Sequence, residues 1–263
     1  MSIVLKEVTG GHRDFRVGPV NLNIETGKLT ALIGPNGCGK STLLSLIAGL
    51  LPLAAGRVAI GALDLATARK RHLAAQVTVL SQNPLVPPAI SVEQLVHYGR
   101  APHQNMFGMR SAVDNETVAN AMRIADIYDL RHRALAELSG GQRQRAFIAM
   151  GIAQDTPYFL LDEPTSFLDV RYQFDILDLL KSLTQAGRTC VVVLHDIAQA
   201  ARYADRLVVM CQGAIVEQGS PANVVRPDLL QSVYGIGTHV YPDPISGTPV
   251  MTLGAPKRAA ACG

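Results

Sequence analysis

The sequence predicts an α/β fold with a mainly parallel sheet, an N-terminal antiparallel β-subdomain and an inserted helical subdomain. Three observations carry the prediction. Near-continuous aliphatic runs at Leu29 to Ile33, Val77 to Leu80, Tyr158 to Leu161 and Cys190 to Leu194 have the composition of strands buried on both faces of a parallel sheet, and helical patterns separate them. Ile3 to Val8, Val20 to Ile24 and Arg57 to Ile60 are short, partly alternating stretches bounded by Gly and Pro, which suits antiparallel strands. Between Pro84 and Ala153 helix signals follow one another with no buried strand between them, which marks the insertion.

Taken in order, the antiparallel stretches form a small β-subdomain, and the buried strand Leu29 to Ile33 leads into a glycine-rich turn and the helical segment Thr42 to Leu50. Within the insertion, Ser91-Val92-Glu93-Gln94 and Ser111-Ala112-Val113-Asp114 have the form of capping boxes, and Val118, Ala121, Met122 and Ala125 then recur at helical spacing. Leu207 to Met210 and Ile215 to Gln218 flank Cys211-Gln212-Gly213, a hairpin with its glycine at the turn. Beyond Tyr234 the Pro and Gly density rises, and 255–263 reads as a loose tail. The expected organisation is one domain over 1–263, with a core of 1–82 and 156–254 and a helical subdomain at about 83–155.

Composition sets limits on partners and surroundings. A hydrophobic content of 48% against 17% charged residues is that of a globular chain, and with no Trp and 5% aromatics its core must be filled by aliphatic packing. The formal net charge of +3 comes without a clustered basic stripe, so nucleic acid is not expected as a partner. Cys38, Cys190, Cys211 and Cys262 show neither a CxxC pair nor metal-ligand spacing, and free thiols in a reducing cytosol are expected. No apolar run approaches the ~20 residues that span a bilayer, and Met1 to Lys6 lacks a signal-peptide pattern.

Gly34-Pro35-Asn36-Gly37-Cys38-Gly39-Lys40-Ser41 fits G-x-x-x-x-G-K-[ST], and it stands where that motif must, after a buried strand and before a helix that continues through Thr42. The glycines let successive backbone N–H groups turn inward around phosphate oxygens, and the helix N-terminus adds its positive dipole end. Lys40 is expected to reach the β- and γ-phosphates, and the Ser41 hydroxyl to ligate Mg²⁺, which makes the α/β fold a P-loop ATPase core. Asp162 and Glu163 end the strand Tyr158 to Leu161 at the edge where open α/β sheets bind ligands. Asp162 would hold Mg²⁺, and Glu163 would act as general base on the attacking water. Gln82, just past Val77 to Leu80, can offer its amide oxygen to Mg²⁺ or the water, and His195 sits at a further strand end. Ser139-Gly140-Gly141-Gln142 is an S-x-x-Q capping box opening a helix that carries Phe147, Ile148 and Ile152; its backbone amides form a second anion site, although in isolation it is only a helix cap.

In this order the motifs resemble those of the nucleotide-binding subunit of an ABC transporter over nearly the whole chain: Walker A at Gly34 to Ser41, Q-loop at Gln82, signature at Leu138 to Gln142, Walker B at Tyr158 to Asp162 followed by Glu163, D-loop at Ser166-Phe167-Leu168-Asp169 and switch histidine at His195. The resemblance implies two head-to-tail copies. Each ATP would lie between one copy's Walker A and the other's Ser139, Gly140, Gly141, Gln142 and Asp169, with Glu163 and His195 catalytic and Ser41, Gln82 and Asp162 on the metal.

It also implies an integral-membrane permease as partner, a substrate-binding protein acting indirectly, and a peripheral location on the cytoplasmic face of the inner membrane. The texture of Gln82 to Arg100, Leu138 to Asp155 and Val240 to Gly247 resembles iron-siderophore importers of the ferric-citrate type, with haem and vitamin B12 import ATPases as alternatives. A soluble ABC protein of DNA repair or translation is disfavoured, because neither a long coiled coil nor a second cassette is present. Tyr98, Arg100, Met106 and Phe107 are the expected permease contacts. The family's N-terminal adenine-stacking Tyr is replaced here by a stretch in which His12 or Phe15 would serve, and Cys38 is expected to make the loop sensitive to thiol reagents.

Overall fold

A computed structural model describes residues 2–12, 14–82, 84, 87, 89–103 and 111–254. The strands in chain order are β1 (Ile3–His12), β2 (Phe15–Ile24), β3 (Leu29–Ile33), β4 (Leu53–Ile60), β5 (Leu63–Asp64), β6 (Val77–Leu80), β7 (Tyr158–Leu161), β8 (Thr189–Val193), β9 (Arg206–Cys211), β10 (Ala214–Gly219), β11 (Thr238–Pro242) and β12 (Pro249–Leu253). The α-helices are α1 (Lys40–Ile47), α2 (Lys70–Ala74), α3 (Val92–Tyr98), α4 (Ala112–Ile124), α5 (Gly140–Ala153), α6 (Val170–Gln185), α7 (Ile197–Tyr203), α8 (Pro221–Val224) and α9 (Pro227–Tyr234). They divide into two compact units, one of residues up to 67 and from 189 onward, the other of 68–188.

In the first unit β1 pairs antiparallel with both β2 and β4, and β4 with the short β5. β3 runs parallel to β8 on one side and β9 on the other, and β10 adds an antiparallel edge to β9. Every residue of β3 and β8 is buried, as their unbroken aliphatic runs require. Each such Leu, Ile or Val contributes roughly 1.5–3 kcal/mol of burial.

The antiparallel strands are longer than their alternation predicts. β1 continues through Gly10 and Gly11 to His12, which pairs with Phe15 at the start of β2. A Cβ on Gly10 would stand 2.4 Å from Leu46 Cδ2, so this strand glycine is a close approach of β1 to α1. The β9–β10 hairpin turns at Gln212-Gly213 as expected. A second hairpin, β11–β12, lies where only Pro and Gly density was legible. Cys38 and Cys190 are free and buried; Cys262, like the rest of the tail 255–263, lies outside the described residues.

The second unit holds the parallel pair β6–β7, registered from Val77 opposite Tyr158 to Leu80 opposite Leu161, together with α2 to α6. All three predicted capping boxes form. Ser91, Ser111 and Ser139 each accept a bond from the backbone N–H three residues on, while Gln94, Asp114 and Gln142 reach back to the cap nitrogen. Among the described residues no helix is long and apolar enough to cross a membrane.

Candidate functional site

The first unit carries the phosphate loop between β3 and α1. Gly37 and Gly39 have φ of 76° and 103°, left-handed values that turn consecutive amides toward one side of the loop. A Cβ at Gly34 would stand 2.2 Å from Met210 O and 2.8 Å from Cys38 Sγ, so only glycine fits where the loop leaves β3. The Lys40 ammonium is buried and donates to Gly34 O and Pro35 O, both at 2.9 Å, with Cys38 Sγ at 3.8 Å. Ser41 is exposed and Thr42 half-buried, both in the first turn of α1. Loop and helix are further clamped by Gly213, whose N–H donates to Cys38 O at 3.0 Å.

Phe15 and His12 face each other across the β1–β2 turn. The Phe15 ring is the one that meets the loop, with Cε1 standing 2.9 Å from where a Cβ on Gly39 would be. Burial pushes the Cys38 thiol pKa up, with Lys40 opposing the rise, so this cysteine is held as a neutral thiol rather than an activated one. His195 is exposed two residues beyond β8, and the next residue, Asp196, caps α7 through Ala198 N and Gln199 N at 2.8 and 3.0 Å.

The second unit carries the carboxylates. Asp162 N donates to Leu80 O at 2.9 Å, which continues the β6–β7 register past the strand ends. Two residues beyond the Leu80–Leu161 pair, Gln82 Nε2 donates to Glu163 Oε2 at 2.6 Å. Ser166 Oγ donates to the same oxygen at 2.9 Å. Glu163 has φ of 51°, an uncommon conformation for a side-chain-bearing residue, and it marks a sharp turn at the strand end. A half-buried carboxylate held from two sides is oriented for work as a base.

Ser139 caps α5 and is exposed, as is Gly140, so this helix N-terminus is open to solvent with no acidic side chain in its first turn, although the Ser139 and Gln142 amides are spent on the capping box. Gly141 is buried, and a Cβ there would lie 2.4 Å from Tyr172 Cδ1 on α6; the glycine serves helix packing as well as any anion. Asp169 is the exposed N-cap residue of α6 and makes no side-chain capping bond. Phe167, with φ of 62°, is 92% exposed and forms an apolar tip on the loop before it.

One expectation is corrected. Arg100 is not a surface group available to a partner: it is buried, donating from Nε to Asp114 Oδ1 and from a terminal nitrogen to Ala153 O, both at 2.8 Å. Tyr98 is exposed, and Met106 and Phe107 lie outside the described residues. The α5–α6 packing and the role of Gly141 in it were missed at the level of sequence; the small residue at the buried helical position was the available signal.

The ABC transporter family profile matches residues 17–166. The chain is 42% identical to the ferric enterobactin transport ATP-binding protein FepC of Escherichia coli (strain K12), over 97% of this chain and 96% of that one. A solved structure described as an inward-facing metal-chelate type ABC transporter superposes with a TM-score of 0.84 at 26% identity, over 96% of both chains. A dimeric structure of a bacterial ABC transporter cassette superposes with a TM-score of 0.71 at 29% identity, over 83% of this chain and 98% of that one.

Proposed function

From the premise that the chain belongs to the ABC transporter family, we propose that it is the ATP-hydrolysing subunit of an importer of ferric siderophores, working as two head-to-tail copies beneath a separate permease. The cargo class rests on the likeness to a ferric enterobactin transport protein along nearly the full length of both chains. The two-copy arrangement rests on the dimeric cassette and on the exposed helix N-terminus at Ser139 and Gly140, which offers its dipole end to an anion on a neighbour. The permease places the subunit at the cytoplasmic face of the membrane, with a substrate-binding protein acting indirectly.

The residues fit nucleotide and metal. The left-handed glycines and the buried Lys40 ammonium are a cradle for phosphate oxygens, and the bonds Lys40 now makes to two carbonyls are ones a phosphate would replace. Gly34 to Thr42 take the phosphates, and Phe15, packed on the loop, takes the adenine side in place of the family's Tyr. Ser41, Gln82 and Asp162 would hold Mg²⁺ through their oxygens, and the ion would supply charge stabilisation at the phosphates. Glu163 draws the proton from the attacking water while Gln82 and Ser166 hold its carboxylate, and His195 contacts the γ-phosphate side. Ser139, Gly140, Gly141, Gln142 and Asp169 act on the other copy's nucleotide.

The single observation that carries the reading is the oriented Glu163 carboxylate at the end of a buried parallel strand. The test is uptake of a ferric siderophore by cells lacking this chain, complemented by the wild type or by Glu163→Gln. Restoration by the wild type alone is expected; equal restoration by both would overturn the catalytic assignment, and restoration by neither would overturn the cargo.

A further inference from the structure

Two helices of the second unit begin with segments that the proposed function gives to the other copy's nucleotide: α5 with Ser139 to Gln142, α6 with Asp169. They are fastened in register. The Gly141 backbone lies against the Tyr172 ring, and one turn further Arg145 donates to Asp175 Oδ2 at 3.0 Å. A Cβ on Gly140 would lie 3.5 Å from Leu168 Cδ2, just before α6. The rungs advance in the same direction along both helices, so the helices run side by side with their N-termini together.

Arg145 has a second arm. The same guanidinium donates to Ala125 O at 3.1 Å and to Asp126 Oδ2 at 3.3 Å, at the C-terminal end of α4. A cation there also meets the negative end of the α4 dipole. Its side chain is 15% exposed, against 32% for Asp175 and 88% for Asp126, so the bond to Asp175 is the better shielded of its two ion pairs.

We infer that Arg145 is a positioning residue that locks the Ser139 and Asp169 segments into one body, so that both reach the other copy's nucleotide together. The inference rests on the head-to-tail reading and deepens it. Arg145 touches no nucleotide; it fixes the spacing of two helix N-termini through Asp175. Loosening that spacing leaves the nucleotide loop of the first unit untouched, because Lys40 and its carbonyl partners belong to another segment of the chain. Affinity of a single copy for ATP should therefore be retained while closure of two copies is lost.

The experiment uses the full chain with Glu163→Gln as the parent, so that ATP is bound and not consumed. ATP-dependent dimerisation is measured by sedimentation, and ATP binding to dilute single copies by a fluorescent ATP analogue. Asp175→Asn, which keeps the shape but removes the charge, is expected to weaken dimerisation about tenfold, within the usual range of coupling between sites. ATP affinity of the single copy should stay at the parent value, and Asp175→Glu should restore the dimer. An undiminished dimer in Asp175→Asn overturns the inference, as does a loss of ATP affinity that matches the loss of dimer. A parent that forms no dimer with ATP overturns the head-to-tail reading itself, and the inference with it.

Discussion

Gln82 and Glu163 are joined by a 2.6 Å hydrogen bond in which the Gln82 amide donates to Glu163 Oε2. The register of β6 and β7 dictates the meeting, since Leu80 stands opposite Leu161 and each chain runs two residues further. Ser166 reaches the same oxygen from the loop that leads to α6. Any displacement of either segment is thus felt at one carboxylate oxygen.

Replacing Glu163 by Gln removes the base and keeps the volume. ATP turnover is expected to fall by roughly 10²–10⁴-fold, the usual weight of a positioned general base. Gln82→Ala leaves the base but removes one of the two donors that orient it together with an oxygen proposed for Mg²⁺, and a smaller loss of roughly 10-fold is expected, at the low end of the range for supporting groups of a metal site. Phosphate release assayed at saturating ATP checks both, and a loss in Glu163→Gln no larger than that in Gln82→Ala would overturn the general-base role.

Besides its expected place at an anion site, Gly141 has its Cα packed against the Tyr172 ring, in the direction a Cβ would take. Gly141→Ala forces a Cβ to within 2.4 Å of Tyr172 Cδ1 and 2.6 Å of Cγ, against the base of the half-buried ring rather than its tip. Overpacking of this kind costs about 1–3 kcal/mol. Urea unfolding should show that loss, and Tyr172→Ala in the same chain should recover part of it. A variant as stable as the wild type would mean that α6 yields freely.

The parts of the molecule that were legible in sequence are those whose determinants are local. A caps-and-reply pattern needs four residues, and all three of the serines concerned form their boxes; β3, β6 and β7 end where their aliphatic runs end. The phosphate loop is likewise a local device of glycines and one lysine. What was not legible depends on distant neighbours. Arg100 looks like a surface group until Asp114 and the Ala153 carbonyl are brought to it, and Arg145 reads as one more helix cation until α4 and α6 flank it. The β11–β12 hairpin escaped notice because prolines at Pro242 and Pro249 flank its turn, where they read as loop, while its pairing is antiparallel and partly exposed.

Arg100 and Asp114 also set an acid limit on stability. The Arg100 side chain, with help from Ser111, holds the Asp114 carboxyl down from its ordinary 3.8 to about 2. Because the folded value is the lower one, the stabilisation is fully present above pH 3.8 and is lost as the pH falls from there toward 2. Asp243 is shifted in the same direction by the Ser246 and Ile245 amides, so wild type and variant must be compared. Asp114→Ala leaves the Arg100 charge buried without its partner and should cost about 3–5 kcal/mol at neutral pH. Asp114→Asn should flatten the pH dependence of urea unfolding below pH 3.8. A variant whose acid profile tracks the wild type would assign that limit to other carboxylates.

Cys38 sits in the phosphate loop but is a poor target for thiol reagents. It is 4% exposed, and burial raises its pKa above 9.0 despite the neighbouring Lys40. Since the thiolate is the reactive form, alkylation at pH 7 should run at least ~10-fold slower in the folded chain than in urea. The rate in the folded chain should climb with pH up to and beyond 9, because the raised value delays ionisation. ATP bound against Lys40 should slow it further, and Cys38→Ser should retain turnover while losing the label. Mass spectrometry of the peptide carrying Cys38 reads each of these directly. Rapid labelling at pH 7 without ATP would show that the loop opens far more often than its two Lys40 hydrogen bonds and the Gly213 clamp permit.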